Sequence, residues 1–155
     1  MNKQIRENIF ETNSSSVHSF SIARDAQVYD TFYCYDDEIV NVDTAEFGRG
    51  DGEVISNANE KAAYLYTYAL FYSKKPEDYI EQLRRVFKEH TKKDVVFEHE
   101  VKGHKIEDVE AYEEGYGYID HQSVEKPEMI FKGGDYYIKE FVFNPDSILI
   151  LEADG

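Results

Sequence analysis

The segment that most limits how this chain can fold is residues 59–73, NEKAAYLYTYALFYS, which is apolar on almost every face when wound as an α-helix. Tyr64, Tyr68 and Phe71 share one face, and Leu65 lies on the next. A helix that is apolar all round has to be covered on more than one side. We therefore expect a central core helix. The alternative is that its Tyr-rich face contacts another chain, as in a homodimer, because Tyr is enriched at protein interfaces.

A second helix is predicted directly after the first. Pro76 stands at its first position, and the acidic Glu77 and Asp78 follow in the first turn, where they favour the positive end of the helix dipole. Ile80, Leu83 and Phe87 recur on one face, as in an amphipathic helix. The opposite face and the C-terminal end carry the basic residues Arg84, Arg85, Lys88, Lys92 and Lys93.

Strand-like stretches flank the two helices. Apolar and polar residues alternate, or β-forming residues accumulate, in residues 17–23, 27–35, 38–42, 94–101 and 136–143. Residues 29–42 form a hairpin candidate, residues 126–131 a short helix, and residues 147–151 an interior strand that is apolar on both faces. This order predicts one α+β domain over residues 1–155, with an antiparallel or mixed sheet and two main helices on one side.

The charge of the chain excludes several classes of function. It has 32 Asp and Glu residues against 17 Lys and Arg, a net charge of -15. Binding to a nucleic-acid backbone or to an anionic membrane needs clustered basic residues, so neither is expected as a direct partner. An aromatic content of 15% is too high for a disordered acidic tail. The sequence also has no apolar stretch long enough for a membrane span or a signal peptide, which favours the cytoplasm.

Most of the acidic excess belongs to the C-terminal part of the sequence. Residues 94–155 carry a balance of -11, and residues 1–93 carry -4. Carboxylates spread over an exposed edge can imitate the phosphates of a duplex and occupy a basic channel, with interleaved tyrosines adding aromatic contacts. The alternative is a solvated acidic surface that aids solubility. The residues expected to bind are Glu107, Asp108, Glu110, Glu113, Glu114, Tyr116 and Tyr118.

The most unusual local sequence is the polar string before the first long strand. Asn13, Ser14, Ser15 and Ser16 precede His18 there. These short side chains can cap turns and satisfy loop backbone groups, or they can hold a phosphate or carboxylate. Ser15 and His18 are weak candidates for a nucleophile and its base. The sequence has no basic residue between positions 6 and 24, which disfavours phosphate binding.

The same string carries a resemblance. Residues 6–22, above all FETNSSS at positions 10–16 followed by one residue and then His18 and Ser19, resemble the N-terminal signature of a group of small uncharacterised phage and prophage proteins. The resemblance covers about a tenth of the chain, and it implies a viral or mobile-element origin. It implies no activity and no site residues.

Catalytic, metal and cofactor motifs are missing from the sequence. It contains no Walker loop, no Rossmann glycine pattern, no GxSxG elbow and no HExxH. His99 and His104 have acidic neighbours, but their spacing fits no metal motif, so we interpret them as surface histidines. Cys34, the single cysteine, excludes an intramolecular disulfide and is interpreted as packing on a strand. No metal or cofactor is expected, and a binding protein is favoured over an enzyme.

These observations together predict a phage-encoded acidic inhibitor. It is expected to act in the host cytoplasm on a host nucleic-acid-handling or antiviral defence protein with a basic surface, as an anti-CRISPR or other counter-defence protein does, by electrostatic occlusion. Two alternatives remain open. One is a nucleotide-binding or hydrolytic protein that uses Asn13 to Ser16 and His18, and the other is an accessory virion protein.

Overall fold

The protein was analysed as a computed structural model, which describes residues 4–6, 16–34, 36–48, 52–100, 116–119 and 126–153. The strands are β1 (Gln4–Arg6), β2 (Ser16–Ala23), β3 (Ile39–Val42), β4 (Glu46–Phe47), β5 (Glu53–Ile55), β6 (Asp94–Phe97), β7 (Tyr118–Ile119) and β8 (Ile148–Ala153). The helices are α1 (Ala58–Phe71), α2 (Pro76–Thr91), α3 (Lys126–Lys132) and α4 (Asp135–Phe143). Their apolar side chains share one hydrophobic core.

Helix α1 lies at the centre of this core. It begins with a reciprocal cap, in which Asn57 Oδ1 accepts the N–H of Glu60 at 2.8 Å and Asn57 Nδ2 donates to Glu60 Oε1 at 2.5 Å. Tyr64, Leu65 and Tyr66 are all fully buried although they point in different directions. The chain itself therefore covers the Tyr-rich faces, and the prediction of a core helix is confirmed.

Helix α2 also follows its predicted pattern. Pro76 occupies its first turn, and Ile80, Leu83 and Phe87 are buried. The helix ends where Lys92 adopts a left-handed conformation with φ 61°. It packs against α1, α4 and β6.

The described part of the chain forms three sheets that pack against these helices. The largest has the order β1-β2-β8-β5 and is antiparallel, with His18 opposite Leu151 and Phe20 opposite Leu149. Strand β8 lies between β2 and β5, as predicted for the apolar run at residues 147–151. Strands β3 and β6 pair in parallel, and so do β4 and β7. The fold is therefore of the predicted α+β class with mixed strand pairing.

The strand predicted at residues 27–35 is wrong. Residues 24–34 have no regular secondary structure, and they are held by tertiary contacts instead. The N–H of Asp30 donates to the carbonyl of Phe143 at 2.7 Å, and Phe32 is buried with its ring 5.0 Å from that of Phe87. The aromatic residues that favour a strand in the sequence lie in a loop, and from there they pack into the core.

The hairpin predicted at residues 29–42 is also wrong. Strand β3 forms, but it pairs with β6, with Val40 opposite Val95. The connection between them is long and contains both main helices, which a parallel pair requires.

The strand predicted at residues 136–143 is a helix, α4. Its residues Ile138, Phe141 and Val142 are buried, and their spacing of three and four fits a helix as well as alternation fits a strand. Gly134, with φ 96°, separates α4 from α3, which confirms the predicted break and the predicted short helix at residues 126–131. Short apolar runs of this length do not distinguish the two periods.

The strand predicted at residues 94–101 is shorter than expected. Strand β6 covers four residues and stops before His99, which adopts a left-handed conformation with φ 60°. Val95 and Phe97 face the core as predicted. Within the described ranges no helix has the length and apolar character needed to cross a bilayer.

Candidate functional site

The polar string predicted as a ligand or catalytic site is only partly described. Asn13, Ser14 and Ser15 lie outside the described residues, and Ser16 begins β2. His18 is fully buried in β2, with its ring centre 6.1 Å from that of Tyr64 in α1. A histidine that acts on a bound molecule has to reach that molecule. The position of His18 in the core therefore gives no support to a catalytic role.

The ammonium group of Lys126 is also enclosed at this place. It donates a hydrogen bond to the main-chain oxygen of His18, and burial lowers the pKa of the Lys126 side chain. The contact joins the start of α3 to the middle of β2. We interpret it as structural.

The predicted acidic segment falls outside the described residues. This holds for Glu107, Asp108, Glu110, Glu113 and Glu114. The residues described on either side of the segment lie close together.

The two flanks of the acidic segment meet beside Asp43. The ring centres of His99 and Tyr116 are 4.1 Å apart, and Thr44 Oγ1 donates to the main-chain oxygen of Tyr116. His99 Nε2 is 3.5 Å from Asp43 Oδ1. Tyr116 is 44% exposed, whereas Tyr118 is half-buried in β7.

Exposed carboxylates that sequence reasoning did not single out lie around β3. We call them the β3 acidic surface, consisting of Asp36, Asp37, Glu38, Asp43 and Glu60. Asp36 Oδ1 caps the turn before β3 by accepting the N–H of Glu38 at 2.7 Å. Within the described part of the chain, none of the five forms an ion pair with Lys or Arg. Their negative charge is therefore directed to solvent.

The basic residues of α2 contrast with this surface because other carboxylates neutralise them. Arg85 donates two hydrogen bonds to Asp135, at 2.9 and 2.8 Å, and thereby lowers the pKa of that carboxyl. Arg84 contacts both oxygens of Glu100, at 3.1 and 3.2 Å. Arg84 and Arg85 of the basic cluster predicted on α2 are thus neutralised by carboxylates.

Lys88 and Lys93 at the C-terminal end of α2 also have partners. Lys88 Nζ is 3.1 Å from Asp94 Oδ1, and Lys93 Nζ donates to Cys34 Sγ at 3.3 Å. Cys34 is half-buried and lies in the irregular segment before β3, so its predicted place on a strand is wrong. It packs against the core, as predicted.

A groove of about 190 Å³ lies between β3 and α1, within the β3 acidic surface. Its apolar lining comes from Phe32, Val42 and Ala62, and Asp43 and Glu60 supply charge. We call it the β3–α1 groove.

The main chain of Tyr33 is held by one of the residues that line this groove. The amide of Asn59, which lines the groove, holds the main chain of Tyr33 with two hydrogen bonds of 2.9 Å. The Tyr33 side chain is 74% exposed. Asn59, in the first turn of α1, thus fixes the backbone from which the exposed Tyr33 ring projects.

A second groove, of about 320 Å³, lies between α2 and α4. Its charged lining is mixed, since Lys92 and Lys139 face Glu89 and Asp135. His90 Nε2 is 2.9 Å from the main-chain oxygen of Asp30. This mixture of positively and negatively charged side chains favours no single class of ligand.

Polar groups that the sequence did not mark occur inside the core. Lys61 is fully buried, and its Nζ donates to the main-chain oxygens of Asn144 and Ser147, at 3.0 and 2.8 Å. Burial lowers the pKa of Lys61 to about 8. Glu140 accepts the hydroxyl of Tyr29 at 3.0 Å, and burial together with this carboxylate raises the pKa of Tyr29 to about 12.

Signals for these features were weak in the sequence. A lysine in an apolar helix was visible, but the helix was apolar on every face, so no side marked it as interior. The β3 acidic surface combines residues from a turn, a strand end and a helix start, which only the fold brings together.

Within the described residues no group of three or more His, Cys, Asp or Glu residues is placed to hold a metal ion. No protein-family model, curated protein or solved structure matches this chain.

Proposed function

We propose that this chain is a phage-encoded acidic protein that binds a basic, nucleic-acid-binding surface of a host protein and blocks it. The observation that supports this proposal is the separation of charge. Arg84, Arg85 and Lys88 of α2 are paired with internal carboxylates, whereas the five carboxylates of the β3 acidic surface have no Lys or Arg partner among the described residues.

Charge complementarity increases the association rate of such a protein with its partner and its selectivity for that partner. A negative surface accelerates encounter with a basic one, and it repels nucleic acids and other acidic proteins. The blocked partner is proposed to be a host nucleic-acid-handling or antiviral defence protein in the host cytoplasm, as for an anti-CRISPR or other counter-defence inhibitor. The acidic segment at residues 107–114, which lies outside the described residues, adds to the net negative charge of the chain.

The proposal is tested by affinity capture from a bacterial host lysate followed by reconstitution with the purified partner. The expected result is a binary complex with a basic nucleic-acid-binding protein, and duplex DNA should compete with this chain for it. A captured partner that still binds DNA normally in the complex would contradict the occlusion mechanism. Recovery of the chain in purified phage particles would instead support the accessory virion alternative.

A further inference from the structure

We propose that the β3–α1 groove receives an arginine side chain from the partner's basic surface. This inference rests on the proposed function, because it names the contact through which that function is performed.

The groove has the shape and lining that a long cationic side chain requires. Its volume of about 190 Å³ is lined on the inside by Phe32, Val42 and Ala62, which are buried residues of the core. Phe32, Val42 and Ala62 are 4%, 4% and 1% exposed, so this apolar floor is small, and the methylene stem of an arginine covers it while the charged end remains at the rim.

Two carboxylates in the groove lining match the charged end. Asp43 Oδ1 accepts the N–H of Thr44 at 2.8 Å, and Glu60 Oε1 accepts Nδ2 of Asn57 at 2.5 Å. The other oxygen of each carboxylate has no partner among the described residues. Each side chain is thus held in place by one oxygen and has the other available to an incoming donor.

The geometry favours arginine over lysine. A guanidinium presents several N–H donors in a planar fork, so it can bond two carboxylates at once. Asp43 and Glu60, which both line the groove, provide the acceptors for such a fork. A lysine ammonium is a compact and strongly hydrated charge, and it gains less from this arrangement.

The inference is tested first with a defined probe, the peptide acetyl-Gly-Arg-Gly-amide, followed by amide chemical shifts of the labelled protein. The controls are the same peptide with Lys, and with the neutral isostere citrulline, in place of Arg. We expect saturable shifts at Asn41, Thr44 and Ala62 with the Arg peptide, at least severalfold weaker binding of the Lys peptide, and none of the citrulline peptide. Equal binding of the Lys peptide, or no saturable shift at these residues, would overturn the inference.

Variants then locate the contact. The double variant D43N/E60Q removes two charges and keeps both side-chain shapes, and it should abolish the saturable shifts. The matched control E53Q/E152Q removes two exposed charges from the four-stranded sheet, and it should bind the Arg peptide within twofold of the wild type. Loss of binding in both variants alike would show a response to net charge and would contradict a site in the groove.

The same variants separate this inference from the proposed function when the captured partner is used. If D43N/E60Q binds the partner as the wild type does, while D37N/E38Q outside the groove binds it more weakly, the groove inference is wrong and the proposed function stands. If neither double variant weakens partner binding, both are wrong. If D43N/E60Q weakens it more than E53Q/E152Q does, both are supported.

Discussion

The ammonium nitrogen of Lys61 lies 2.8 Å from the main-chain oxygen of Ser147 and so joins the central helix α1 to the start of strand β8. Ser147 extends the connection, because its hydroxyl donates to the carbonyl of Glu140 at 2.7 Å and accepts the N–H of Ala23 at 2.9 Å. One buried polar cluster therefore links four elements, α1, α4, β2 and the start of β8. The grooves and surfaces described above depend on α1 being held in this position.

At alkaline pH, where the cost of burying the charge is smallest, replacing Lys61 by Met is expected to destabilise the protein by about 1–3 kcal/mol, because two buried carbonyl groups lose their donor. Urea denaturation followed by circular dichroism measures the change. Lys74→Met, in the exposed turn between α1 and α2, is the matched control and should change the free energy of unfolding by less than about 0.5 kcal/mol. A Lys61→Met variant as stable as the wild type would show that the cluster does not hold α1.

The buried position of Lys61 also predicts a pH dependence. Its pKa is about 8 in the folded protein and 10.5 ordinarily, so between these values the unfolded chain binds more protons than the folded one. Stability therefore rises with pH over this window, by up to about 3 kcal/mol from this group. The neutral amine keeps two N–H donors for its two carbonyl partners, so the contact survives deprotonation.

This rise is measured as the difference in unfolding free energy between wild type and Lys61→Met at pH 7.5 and pH 9.5. The difference should increase with pH in favour of the wild type. The upper limit of pH avoids the opposing effect of Tyr29, whose raised pKa of about 12 lowers stability as pH rises above 10. A difference that does not change with pH would contradict a depressed pKa for Lys61.

The elements that the sequence predicted correctly are those whose pattern admits one interpretation. The apolar residues of α2 recur only at helical spacing, and β2 alternates over its whole length. Residues 136–143 and 27–35 were misassigned because aromatic and branched residues favour strands in general, while local propensity yields to tertiary packing. In α4 that packing places Phe141 against Phe20 of β2, with ring centres 5.9 Å apart.

A substitution at Gly117 tests how closely β7 packs against α1. A Cβ atom at this position would lie 3.0 Å from Phe71 Cε2, 3.1 Å from Thr44 Cβ and 3.2 Å from Thr67 Cγ2. Gly117→Ala is expected to cost about 1–3 kcal/mol, because three core neighbours have to move. Thermal unfolding measures this, with exposed Lys132→Ala as the control, and an unchanged melting temperature would contradict the close packing of β7 on α1.

We expect the ion pair between Arg85 and Asp135 to contribute little to the free energy of unfolding. Its larger effect should be on the net charge that the α2 surface presents. Both side chains are about half exposed, so a double-mutant cycle with Arg85→Ala and Asp135→Ala should give a coupling of less than about 1 kcal/mol. Asp135→Ala releases the guanidinium and should weaken binding of the basic partner through repulsion. A coupling well above that value would show that the pair is a main stabilising contact.

The candidate site was predictable in its chemistry and not in its location. The net charge of -15 predicts a basic partner, and the acidic binding residues that the sequence places at 107–114 lie outside the described residues. Five exposed carboxylates of the described residues lie around β3, where the packing of α1 on β3 brings Asp43 and Glu60 together. His18 differs from these carboxylates. It is a polar residue in an alternating strand that the sequence marks as a candidate site residue, and it lies in the core.

The most direct test of the account is the dissociation constant of the reconstituted complex measured against salt concentration, for the wild type and for D37N/E38Q/D43N/E60Q. We predict that the wild-type constant rises steeply with ionic strength, because salt screens exposed charge pairs. We also predict that the variant binds about tenfold or more weakly at low salt, with a shallower salt dependence. A wild-type constant that does not change from low to high salt would contradict binding through an acidic surface.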